Sequence, residues 1–152
     1  MDYVVIGCRA LVGIVFLVSA ATKIRPLASG EFAASVRRLT GLRGARARPV
    51  ALGVVLLEGA VPVLLVVRGL AVPGFVLAGA LLAAFSTAIL VALRRGVRAP
   101  CRCFGAAEIP LGPRHLVRNA LLGVAAAASA AALLVIGADD IAGLFREEPW
   151  DR

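Results

Sequence analysis

The sequence predicts an all-α protein, a polytopic membrane four-helix bundle. Three observations carry that expectation. Of 152 residues, 61% are hydrophobic and the mean hydropathy is +0.93, against about 45–50% apolar in ordinary soluble domains. The charged residues, 17% of the chain, are clumped rather than scattered. Four apolar stretches approach the ~20 residues needed to cross the hydrocarbon core of a bilayer. The period-two alternation of a membrane barrel is absent, and helices satisfy every backbone group internally, as lipid demands.

The four spans and the loops between them form a single membrane domain over residues 1–152. The first span is Tyr3 to Thr22. Val18-Ser19-Ala20 resembles a small-residue cleavage site, but no Lys or Arg precedes Arg9. A secretory signal usually opens with positive charge, so this span is expected to remain as an anchor. The second span is Val50 to Val67 and the third Pro73 to Leu93. The connector between them, Arg68 to Val72, is so short that they must form an antiparallel hairpin. The fourth is Asn119 to Ala138. Its small residues Gly123, Ala127 and Ala131 recur at four-residue spacing. Such a face lets another helix approach closely, within the bundle first and in a homo-oligomer as the alternative.

Loop one, Lys23 to Pro49, carries seven basic residues against one acid, Glu31. Phe32, Val36 and Leu39 fall at helical spacing there, which suggests a short amphipathic helix on the bilayer surface; a disordered basic loop is the alternative. Loop three, residues 94–118, carries six basic residues and is broken by Pro100, Pro110, Pro113, Gly105 and Gly112. The tail 139–152 is acidic.

Seven plus six places 13 of the 17 basic residues in loops one and three, which share one side of the membrane. Three basic residues lie on the other side and Arg9 lies within a span. The positive-inside rule then favours a multi-pass plasma-membrane protein with loops one and three in the cytoplasm. Topology explains the net charge of +8, so no nucleic-acid partner is implied. Membrane lipids are the expected surroundings, with anionic lipid or an acidic protein surface candidates for the basic loop.

The residues best suited to chemistry are Cys101 and Cys103, one residue apart in loop three. A disulfide between them closes a small, strained ring, and strained disulfides are the readily reduced, catalytic kind. Arg98 and Arg102 would stabilise a thiolate, and the N-terminal dipole of a helix starting near Arg114 would add to that. Inert buried thiols are the bland alternative. No metal is expected, because Cys101, Cys103 and His115 offer three ligands where structural zinc takes four. His115 is placed to accept a proton during thiol chemistry, or simply to sit at the membrane interface. Cys8 lies about 21 Å from Thr22 along the first helix and reads as a packing residue.

Arg9 and Glu58 are charges within spans, which usually face the bundle interior and pair. Measured from the loop-one face, Arg9 lies about 20 Å deep and Glu58 about 12 Å. Two long side chains bridge such a gap, so an Arg9–Glu58 bridge is expected, with Lys23 the alternative partner for Glu58. Ser19, Ser86 and Thr87 are expected to bond their own helix backbones.

The chain resembles the MauE family, within the DoxX-like group of small four-helix membrane proteins. The resemblance rests on Arg9, Phe16, Ser19-Ala20 and Lys23, then Phe32, Val36 and Glu58. It rests most specifically on Cys101-x-Cys103-Phe104-Gly105, and Arg118-Asn119 completes it. Ala20 departs from the glycine usual in the wider group. The resemblance implies a role in maturing methylamine dehydrogenase, whose small subunit is rich in disulfides, together with a thioredoxin-like partner. The expected function is a thiol–disulfide relay for a disulfide-containing client. By analogy with other four-helix disulfide-generating membrane proteins, a quinone is the candidate electron carrier. The alternatives are a non-enzymatic assembly factor and a small transporter built on Arg9 and Glu58.

Overall fold

The computed structural model describes residues 2–41, 46–67, 69–96 and 113–136. The described residues form five helices: α1 (Asp2–Ala28), α2 (Glu31–Thr40), α3 (Ala47–Val66), α4 (Ala71–Arg94) and α5 (Pro113–Ile136). No strand occurs among the described residues. Four of the helices, α1, α3, α4 and α5, are long and apolar enough to cross a membrane. This arrangement fits a multi-pass membrane protein.

These helices run past the edges of the hydropathic spans. Hydropathy marks where apolar side chains end, whereas a helix continues until its backbone bonding is broken. Three prolines mark helix starts rather than breaks. Pro113 opens α5, and Pro49 and Pro73 sit in the first turns of α3 and α4. A first-turn N–H has no intrahelical acceptor, so proline costs nothing there. Pro26 and Pro62 lie inside α1 and α3 instead. Each removes one helix bond, Pro62 the one that would reach the carbonyl of Glu58.

The spanning helices pack in a closed order, α1 on α3, α3 on α4, α4 on α5 and α5 back on α1. Val12 and Phe16 of α1, Val61 and Leu65 of α3, Phe75 and Leu82 of α4, and Leu122 and Ala126 of α5 fill the centre. Only between 22% and 28% of each helix's apolar window is buried in the bundle. Large aliphatic residues such as Ile14, Leu56, Val76 and Val124 are more than half exposed. Lipid, not water, is the solvent for such a surface.

At the α3–α4 hairpin the helices come very close. A Cβ on Gly74 would stand 3.0 Å from the Leu65 side chain and 3.2 Å from Leu64. Only glycine fits without displacing leucine.

Among the described residues of loop one is α2, bracketed by Gly30 and Gly41 at φ 80° and 73°. Its acid lies in the first turn and Arg37 and Arg38 in the last, as the helix dipole favours. The expected amphipathic helix is present, but its apolar side is not turned to lipid. Phe32 and Val36 pack on Ala51, Val54 and Val55 of α3 and on Leu27 of α1. The helix therefore lies across the end of the bundle.

The small-residue face of α5 is also differently used. Leu122, Ala126, Ser129 and Leu133 point inward, while Gly123 is half-buried and Ala127 and Ala131 are exposed. Bulkier Leu122 and Leu133 fill the centre better, which turns the small stripe outward.

Candidate functional site: a sealed ion pair beneath loop one

Lys23 lies on α1, one turn beyond Ser19, and Glu58 lies in the middle of α3. The antiparallel packing of α1 on α3 brings them together. The Lys23 ammonium donates to Glu58 Oε1 at 2.7 Å, to Oε2 at 2.8 Å and to Ser19 Oγ at 2.6 Å. Its three protons thus meet three acceptors. Ser19 Oγ donates in turn to Glu58 Oε1 at 3.1 Å. The side chains of Lys23 and Glu58 are 1% and 0% exposed. A charge so deeply buried is tolerable only when paired and hydrogen-bonded in this way.

Two aromatic rings close the site. The Lys23 ammonium lies 5.8 Å from the centroid of Phe32 on α2 and 5.6 Å from that of Phe85 on α4. Both distances are within cation–π range. Four helices therefore meet here, with α1 supplying the cation, α3 the anion, and α2 and α4 the rings. Nearby, Asn119 of α5 donates to Ser86 Oγ of α4 at 3.3 Å. Ser86 itself donates to the Leu82 carbonyl, and Thr87 to that of Ala83, as expected of hydroxyls in apolar helices.

Arg9 occupies the opposite end of α1. Its Nε donates to the carbonyl of Leu65, in the last turn of α3. Carbonyls there lack intrahelical donors and carry the negative end of the dipole, so a guanidinium is well placed. The expected Arg9–Glu58 bridge is not formed. That expectation ended the first helix at Thr22. Because α1 runs to Ala28, its register against α3 puts Lys23, not Arg9, beside Glu58.

A sequence model of the family described as "Methylamine utilisation protein MauE" matches residues 1–136. The chain belongs to the MauE family. It is 35% identical over 127 residues to the methylamine utilization protein MauE of Paracoccus denitrificans, covering 82% of this chain and 67% of that protein. No solved structure matches it.

In this MauE-family chain, Lys23, Glu58 and Arg9 are located as above, and His115 is half-buried in the first turn of α5. Cys101, Cys103, Arg98, Arg102, Phe104 and Gly105 lie outside the described residues. The helices that flank them are described: α4 ends at Arg94 and α5 begins at Pro113. Both termini belong to the end of the bundle that α2 covers, where Gly41 stands 3.1 Å from an Arg95 nitrogen by its would-be Cβ. Cys8 is half-buried with a free thiol, near the other end of α1. No metal-ligating cluster of His, Cys, Asp or Glu occurs among the described residues.

Sequence reasoning assigned Ser19 to its own backbone and gave no role to Phe85 or Asn119. The Ser19–Lys23 spacing of four residues, which stacks two side chains on one helix face, was the available signal.

Proposed function

We propose that this chain is a membrane-embedded thiol–disulfide relay. It serves the maturation of a disulfide-containing client in methylamine utilisation, the process named for its Paracoccus relative. The observation that carries the reading is the Cys101-Arg102-Cys103-Phe104-Gly105 element between α4 and α5 in a chain of this family.

A client thiolate attacks the Cys101–Cys103 disulfide and forms a mixed disulfide, releasing one loop thiolate. The client's second thiol then resolves the intermediate. The client gains one disulfide, and its two electrons and two protons end on Cys101 and Cys103 as thiols. A thioredoxin-like partner in its disulfide form regenerates the loop by the same exchange, its own disulfide taking up the two electrons and two protons; a quinone, if bound, would be the alternative acceptor. Arg98 and Arg102 favour the thiolate leaving group, and His115 holds a proton between steps. The buried ion pair keeps the helices below the loop in fixed register.

In the plasma membrane, the charge distribution favours a cytoplasmic Cys loop. Maturation of an exported client favours the other side. Labelling intact cells with a membrane-impermeant maleimide, before and after reduction and in a Cys8→Ser background, separates the two. Labelling only after reduction places an oxidised pair outside. Labelling only after lysis places it inside. Cys103→Ser should abolish the mixed-disulfide cycle; unchanged client oxidation would sink the relay reading.

A second reading, a non-enzymatic assembly factor, draws on the sealed Lys23–Glu58 pair, which braces the loop end without any chemistry. A Cys101→Ser/Cys103→Ser variant that still matures its client fully would establish it.

A further inference from the structure

The Cys-loop end of the bundle is ringed with arginine. All nine described arginines from Arg25 to Arg118 are exposed, and they come from all five helices. The one described cation at that end without exposure is Lys23, already neutralised by Glu58. Of the described acids at this end, only Glu31 is exposed.

The ring sits directly on the lipid-facing surface. On α1, Arg25 adjoins Ile24, which is 60% exposed. On α4, Arg94 lies one turn beyond exposed Leu90. On α5 the pattern is densest. Arg114 and Arg118 share a face with Val117 and Leu121, and with Pro113 they line a shallow, almost wholly apolar depression of about 360 Å³. Val117 and Leu121 are 59% and 68% exposed. The same adjacency, an exposed arginine beside or one turn from an exposed aliphatic residue, thus recurs on α1, α4 and α5.

Local charge is also unbalanced. The first turns of α3 and α5 contain no acidic residue, yet Arg48 and Arg114 stand there, where the dipole disfavours cations. Guanidinium groups match phosphate oxygens two at a time. A ligand with a phosphate at one end and hydrocarbon at the other satisfies both halves of the pattern. A zwitterionic headgroup brings a cation as well, and among the described residues at this end only one carboxylate, Glu31, is exposed to meet it.

We propose that the arginine ring binds anionic phospholipid headgroups, principally on α5, where exposed Arg114 and Arg118 would hold the phosphate and the apolar depression they share with Val117 and Leu121 would take the start of an acyl chain. The acyl chains lie along the exposed aliphatic residues below.

The test uses the full chain purified in detergent, mixed with equimolar phosphatidylglycerol and phosphatidylcholine, with retained lipid read by native mass spectrometry. Phosphatidylglycerol should be retained roughly tenfold over phosphatidylcholine. An R37Q/R38Q/R114Q/R118Q variant should lose that preference, and an R68Q/R146Q/R152Q variant, which removes nearly as many charges but none of those nine arginines, should keep it. Arg37, Arg38, Arg114 and Arg118 are exposed, and thermal unfolding of each variant checks its folding. Competition with inorganic phosphate separates the sources. Phosphate that displaces the lipid completely at equal concentration shows an anion site with no lipid component and overturns the proposal. Equal retention of both lipids, as expected if the ring docks an acidic protein instead, overturns it as well. So does loss of preference in both variants, which would reduce the effect to net charge.

Discussion

Lys23 and Glu58 meet at 2.7 Å with neither side chain reaching the surface. Three consequences of this contact and its surroundings are open to measurement, and a fourth concerns the α3–α4 hairpin.

Removing one partner strands the other. Lys23→Met leaves a buried carboxylate with only Ser19 for company and should cost about 3–5 kcal/mol. The double variant Lys23→Met/Glu58→Leu removes both charges and should recover most of that loss. Thermal unfolding of the three proteins in one detergent decides it. If the double variant is as unstable as the single, the pair is not the coupled unit described here.

That same double variant separates bracing from chemistry. A stable protein that still supports client maturation assigns the pair a structural role alone. A stable protein without activity makes Lys23 and Glu58 participants in function.

Phe32 joins α2 to the ion pair. Phe32→Ala opens a cavity between α2 and α3, at a cost of about 3–5 kcal/mol if the site cannot collapse. Because α2 lies at the end of the bundle, the loss should appear as local opening. Trypsin should cut at Arg37 and Arg38 faster than in the parent protein, while the spanning helices stay protected. Unchanged cleavage would show that α2 is held by other contacts.

Gly74 allows α3 and α4 their close approach. Gly74→Ala should destabilise by about 1–3 kcal/mol through overpacking. Adding Leu65→Ala, which removes the atoms in the way, should make the two changes less than additive. Strict additivity in unfolding measurements would show that the helices simply move apart.

Hydropathy alone was enough to find four spanning helices, because lipid requires long unbroken apolar runs. Where the helices end was less legible. Pro49, Pro73 and Pro113 look like breakers in sequence yet stand in first turns. α1 continues through Pro26 to Ala28 because α2 packs against it there. That extension decided the partner of Glu58, since a shift of six residues moves a side chain about 9 Å along a helix. The apolar spacing of Phe32, Val36 and Leu39 revealed α2, but spacing does not say whether such a face meets lipid or protein. On α5, four-residue spacing picked out Gly123, Ala127 and Ala131, while the neighbouring stripe of Leu122, Ala126, Ser129 and Leu133 faces inward. Periodicity gives the faces of a helix and leaves its rotation to the neighbours.

The Lys23–Glu58 contact spans 35 residues of chain. During synthesis Lys23 therefore enters the chain 35 residues ahead of its carboxylate. Until α3 follows, α1 must hold its ammonium near the headgroups, where water can still solvate it. Final seating of α1 then waits on the arrival of α3, so the order in which the spans enter the membrane is written into the pairing itself.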